Sequence, residues 1–189
     1  MKTKWNLLLA LMIGGGFMAA AGTADAINLE SWDNQINNPG RFKVLNDFGG
    51  AAILDRETQL VWERSPDTTR RDWFQALAHC YQREVGANRL GGRSRKGWRL
   101  ATIEELASLI DPTIAPPGPT LPVGHPFSNV QSSDCSVDSC YWSATTNADA
   151  TVGAWLVDLL SGDVGTFGKT FIPLRAWCVR GGQGIDGVQ

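Results

Sequence analysis

Four cysteines, two histidines and a dense group of arginines are the residues of this sequence whose types and spacing first invite a chemical reading. Cys80, Cys135, Cys140 and Cys178 allow three disulfide pairings. Cys135 and Cys140 stand five positions apart beside the polar stretch Ser132 to Ser139, where a local bridge closes easily. That leaves Cys80 and Cys178, both set in apolar patterns far apart in the chain. Joining them closes a loop of nearly a hundred residues, worth about 4 to 5 kcal/mol in the chain-entropy description. A structural zinc centre needs four converging ligands, and with only His79 and His125 and no C-x-x-C pair none is expected. Asp134, Asp138, Asn147 and Asp149 could offer oxygen ligands to calcium, but their spacing fits no loop motif, so no cofactor is expected. His79 points away from the apolar side of its segment, and no motif sets a serine or cysteine nucleophile beside it. No catalytic residue is therefore expected.

The arginines form the other chemical feature. Between Arg83 and Arg99 the chain gathers Arg83, Arg89, Arg93, Arg95, Lys96 and Arg99, although its net charge is -2 at pH 7. The local field there opposes the overall one, and the interspersed glycines let the backbone conform to a polymer. A guanidinium donates two parallel hydrogen bonds to a sulfate or carboxylate, whereas lysine offers a point charge. Arg89, Arg93, Arg95 and Lys96 are the candidate ligand-binding residues, for a glycan or other polyanion of a cell surface or matrix. A solvated connector is the plainer alternative. Nucleic acid is not the expected partner, because the sequence pI is about 5.7.

The elements that must hold these groups follow from periodicity. Asp72 with Gln75 makes a capping box, and Trp73, Ala76, Leu77, Cys80 and Tyr81 then recur on one helical face. Thr102 with Glu105 makes a second, opening a helix buried through Leu106, Leu109 and Ile110 and stopped by Pro112. Arg41 to Leu45 and Ala51 to Leu54 read as strands. Gln59 to Glu63 pairs back on the latter across Asp55 to Thr58. Trp98 to Leu100 is a short strand. From Tyr141 to Gly182 the pattern is an antiparallel meander: Tyr141 to Thr145, Ala154 to Leu159 with Trp155, Val157 and Leu159 on one face, Val164 to Phe167 after the turn Ser161-Gly162-Asp163, and Ala176 to Arg180 closing it. Asp111 to Asp138 is a Pro- and Ser-rich excursion that is either functional or disordered. Eight tryptophans against two tyrosines point mainly to core packing, with Trp98, Trp142, Trp155 and Trp177 the expected core members.

The N-terminus reads as a targeting segment. Lys2 and Lys4 precede the apolar run Leu7 to Phe17, and Ala24-Asp25-Ala26 offers a cleavage site that makes Ile27 the mature start. That run is shorter than the roughly 20 residues that span a bilayer, so no transmembrane segment is expected in the mature chain. Sec-type export to the periplasm, the cell surface or the medium follows, an oxidising setting in which four cysteines form disulfides. The organisation is then a signal peptide over 1–26, an irregular lead-in over 27–40, one domain over 41–182 and a flexible tail over 183–189.

Taken in order, Trp98 to Leu106, His125-Pro126-Phe127, Tyr141 to Thr145, Ala154 to Asp158 and Cys178-Val179-Arg180-Gly181-Gly182 resemble the Lcl C-terminal domain family, named for a bacterial collagen-like adhesin. The similarity spans roughly Phe42 to Gly182. It implies an α+β, C-type-lectin-like fold in which two helices flank small antiparallel sheets and a long loop region carries binding. A disulfide from the first helix to the last strand belongs to that pattern, and Cys80 and Cys178 occupy those places. The sequence lacks a collagen-like Gly-x-y repeat and the Glu-Pro-Asn, Gln-Pro-Asp and Trp-Asn-Asp motifs of calcium-dependent lectins. Ala101 stands where the family usually has proline, and the loop from Arg83 to Gly97 is longer than typical. The resemblance implies a non-catalytic, adhesin-like binding module. The alternative is a copper oxidase similar to the formylglycine-generating enzymes, which share the broad fold and hold Cu(I) on a cysteine pair spaced like Cys135 and Cys140.

Overall fold

A computed structural model describes residues 40–86, 94–132 and 139–181. Its strands are β1 (Phe42–Leu45), β2 (Ala52–Asp55), β3 (Val61–Glu63), β4 (Arg99–Leu100), β5 (Cys140–Thr146), β6 (Gly153–Asp158), β7 (Val164–Gly168), β8 (Arg175–Ala176) and β9 (Cys178–Arg180). The helices are α1 (Trp73–Gln82) and α2 (Ile103–Ala107). One sheet has the order β1-β2-β3-β9-β4 and the other β7-β6-β5-β8. The chain is thus mixed, mostly β, with antiparallel pairing throughout except between β5 and β8.

Successive residues of several strands enter different cores. In β5, Trp142 joins a cluster containing Trp73, Ala76 and Cys80 of α1, while Tyr141 joins one containing Leu106, Leu121 and Phe127. Cys178 and Val179 divide in the same way, as do Leu156 and Val157. Side chains alternate across a strand, so a strand covered on both sides must be apolar at consecutive positions. The tryptophan-rich run therefore encodes two cores, and the expectation of one apolar face on β6 is corrected. Trp98, Trp142 and Trp177 are buried. Trp155 belongs to neither cluster and is only partly buried, because its cross-strand neighbour is Thr166 of the exposed strand β7.

The expected meander also needs correction. β5, β6 and β7 form it, but β8 joins β5 in parallel and β9 crosses to the other sheet, between β3 and β4. Trp177 lies at this crossover, fully buried, with its Nε1 donating to the Glu63 carbonyl at 2.8 Å. Its ring meets Trp62, Phe127 and Tyr141 at centroid distances of 5.6, 5.0 and 5.5 Å. Such aromatic contacts add about 0.5 to 1.5 kcal/mol each beyond area burial. The Cys80–Cys178 disulfide ties α1 to β9 across a sequence separation of 98.

Both capping boxes form as their spacing predicts. Two helical details differ. Tyr81 is 81% exposed rather than buried, since at about 100° per residue it sits some 80° around from Trp73, on the rim of the buried arc. α2 ends at Ala107, well before Pro112. Leu109 and Ile110 donate to the Leu106 and Ala107 carbonyls in tight three-residue turns, which still bury Leu109 fully.

The excursion is packed over its described part, residues 111–132. Asp111 and Thr120 pair through their backbones at 2.8 Å, and Gly118 and Thr120 donate to Leu160 and Leu159. Leu121 and Phe127 fill the second core. Tyr141 Oη accepts from the Gln131 N–H at 2.9 Å, and burial pushes its phenol up to about 12.

Candidate functional site

The basic loop is pinned at its neck. Val85 and Arg95 pair through both backbone hydrogen bonds, 3.2 and 2.9 Å, and Trp98 Nε1 donates to the Arg95 carbonyl at 2.8 Å. Gly86 is required there. Its φ is +96°, and a Cβ would come within 2.8 Å of the Phe48 Cα. Phe48, from a short 3-10 turn, stacks edge-on to Trp98 and lies under the Arg95 guanidinium at 4.9 Å. Arg95 is thus held against a ring face while remaining exposed to solvent.

The other cations of this segment divide into two sets. Arg83 turns inward to Glu63, with its Nε 2.7 Å from Oε1 and its Nη2 on the same oxygen. Glu63 is 1% exposed and its Oε2 has no hydrogen-bond partner among the described residues. Burial pushes its carboxyl above the usual range, with Arg83 opposing. Arg99 is bidentate to Glu105 at 2.7 and 2.6 Å and also donates to the Gly181 carbonyl. These two arginines serve the fold. Lys96 remains at the surface, 2.8 Å from Glu84, which also accepts from Ser94. The hydrogen bond from Lys96, then that from Ser94, holds the Glu84 carboxyl low, and Glu84 raises Lys96 in return. An exposed pair of this kind is worth little and exchanges readily with a competing anion. Arg89 and Arg93 lie outside the described residues.

One residue of this surface was missed from the sequence. A Cβ on Gly97 would lie 3.7 Å from Arg180 Nε, so β9 brings Arg180 against the neck of the loop. Arg180 has no carboxylate partner among the described residues. Its distance in sequence hid it; the glycine at 97 answers to its φ of +85° and carries no mark of Arg180.

His79 is half-buried rather than exposed. Its Nε2 lies 3.9 Å from Asp67 Oδ2. Burial, then the Arg71 charge, keeps the imidazole below its ordinary value although Asp67 opposes. Burial would raise Asp67, but hydrogen bonds from Thr69 and Arg71 hold it at about 2. Among the described residues no cysteine is free.

Among the described residues no cluster of three or more His, Cys, Asp or Glu could hold a metal ion. The Asn147 side chain accepts from Asp149 N–H at 3.0 Å, while Asp134 and Asp138 lie outside the described residues. Cys140 is in a disulfide, and Cys135, its expected partner, lies outside them. A Cu(I) site would need both sulfurs as thiolates. No helix among the described residues is long and apolar enough to cross a membrane.

A family model described as the Lcl C-terminal domain matches residues 51–180, more than half of the chain. The chain belongs to the Lcl C-terminal domain family. The matched span runs from the start of β2 to the end of β9, and so covers both disulfide-linked elements, the basic loop and the packed excursion. Curated proteins yield no significant match.

Proposed function

We propose that this Lcl C-terminal domain protein is an exported, non-catalytic binding module with a C-type-lectin-like fold, and that it recognises anionic polymers such as sulfated glycans. The observation that carries the reading is the unpaired cationic surface at the loop neck. Arg95 rests on the Phe48 ring and Arg180 stands beside Gly97, with no carboxylate partner for either among the described residues. Lys96 joins them by exchanging Glu84; Arg89 and Arg93, outside the described residues, belong to the proposal by sequence alone. The fold part rests on two helices beside small antiparallel sheets, with the Cys80–Cys178 bridge joining the first helix to the last strand.

Each exposed contact is worth about 1 kcal/mol or less, so affinity comes from several acting together and is screened by salt. Retention on immobilised heparin or fucoidan, eluted by a salt gradient, tests this. Arg95→Ser combined with Arg180→Ser lowers the salt needed for elution while the melting temperature stays put. Unchanged elution would reduce the loop to a solvated connector.

A further inference from the structure

Strand β7 is the outer edge of the four-stranded sheet, with the sequence Val164-Gly165-Thr166-Phe167-Gly168. Its inner side pairs with β6 from Val164 to Gly168. Asp158 N–H donates to the Asp163 carbonyl and Lys169 N–H to the Val152 carbonyl, which fixes the phase of the ladder. Gly165 and Phe167 direct their backbone groups to β6, as do the Asp163 carbonyl and the Lys169 N–H, while the Lys169 carbonyl accepts from Trp73 N–H and the Asp163 N–H donates to Ser161 Oγ. Val164, Thr166 and Gly168 direct theirs outward. Among the described residues, only one outward group is used, the Gly168 carbonyl, which accepts from Phe171 N–H. The strand carries no charge, and Val164 and Phe167 are exposed. Natural edges are usually blunted by charge, proline or a bulge; this one has none of these.

We propose that β7 pairs antiparallel with β7 of a second copy of this chain, about a two-fold axis at Thr166. The sequence is complementary to itself in that register. Thr166 meets Thr166 as a hydrogen-bonded pair, and Val164 meets Gly168, whose N–H matches the Val164 carbonyl and whose carbonyl, already accepting from Phe171, has a second lone pair for the Val164 N–H. Phe167 comes opposite Gly165, where the missing side chain leaves room for the ring beside Leu156, whose Cδ1 lies 3.7 Å from a Cβ built there. Asp163 comes opposite Lys169. The Lys169 ammonium already donates to Thr146 Oγ1 and the Thr151 carbonyl and lies over the Trp73 ring, with no carboxylate partner in its own chain among the described residues. Opposite charges thus end the pairing in both directions, which sets its register. The result is one continuous sheet across two domains. It faces its partner from the sheet that does not carry Arg95 and Arg180, so two polyanion surfaces remain available in one particle.

Sedimentation equilibrium on the exported protein with its disulfides intact, without any polyanion, is the test, together with amide hydrogen exchange. The expected result is a mass that rises with concentration to twice the monomer's, with Val164 and Thr166 amides slowing in step. Thr166→Lys sets like charges face to face at the axis and weakens association at least about tenfold with no change in melting temperature. Asp163→Lys, opposite Lys169, does so more mildly. A monomer at every concentration, or undiminished association in Thr166→Lys, overturns the proposal. So does a protected Thr166 amide in a monomer, since the chain then covers its own edge. None of these readings depends on glycan binding.

Discussion

Two long connections leave the same pair of sheets and are used in opposite ways. The excursion after α2 puts Leu121 and Phe127 into a core and ties its backbone to Leu159 and Leu160. The loop after α1 is fastened at its neck, by the Val85–Arg95 pair and the Phe48–Trp98 contact, and its described cations Arg95 and Lys96 are exposed there. Length alone therefore does not mark a binding loop. Apolar anchors turn the excursion into part of the fold, whereas the neck of the basic loop holds exposed cations, which the proposed function assigns to a ligand.

The sharpest break of that contrast is to remove an anchor. Phe127→Ala costs about 3 to 5 kcal/mol, because the ring packs on both Trp177 and Phe42. Calorimetry gives the loss, and limited proteolysis should then cut within 111–132. Reducing the Cys80–Cys178 bridge, or replacing both cysteines by serine, costs about 2 to 5 kcal/mol in the same assay, for a closure spanning 98 residues. Gly86→Ala acts at the neck of the other loop. The strained φ and the clash with Phe48 destabilise by about 1 to 3 kcal/mol, and exchange at Val85 and Arg95 amides quickens.

How far this was legible depends on locality. The capping boxes at Asp72 and Thr102 and the β2–β3 hairpin were readable because their partners lie within a few residues. The Cys80–Cys178 bridge was readable by elimination, and the family from an ordered series of motifs. Whatever depends on a neighbour brought from elsewhere was not. β8 and β9 look like one strand until Trp177 divides them between two sheets. Arg83 and Arg99 look like loop cations until Glu63 and Glu105 claim them. Arg180 looks like the end of a strand until Gly97 meets it.

The smallest effect concerns protons. His79 and His125 are both held below their ordinary value, chiefly by burial, so the fold favours the neutral ring. Their contribution to stability is present above about pH 6.5 and is lost as pH falls through that value toward the folded one. Melting temperature should decline modestly between pH 7.5 and 5.5. His79→Asn with His125→Asn should flatten that slope.

The contrast between the two connections is tested most directly by a nuclear magnetic resonance titration with a short sulfated oligosaccharide, following backbone amides. Shifts are expected at Arg95, Lys96, Gly97 and Arg180 that fade as salt rises, with residues 111–132 unmoved. Shifts centred on residues 113–125, with the neck of the basic loop silent, would contradict it.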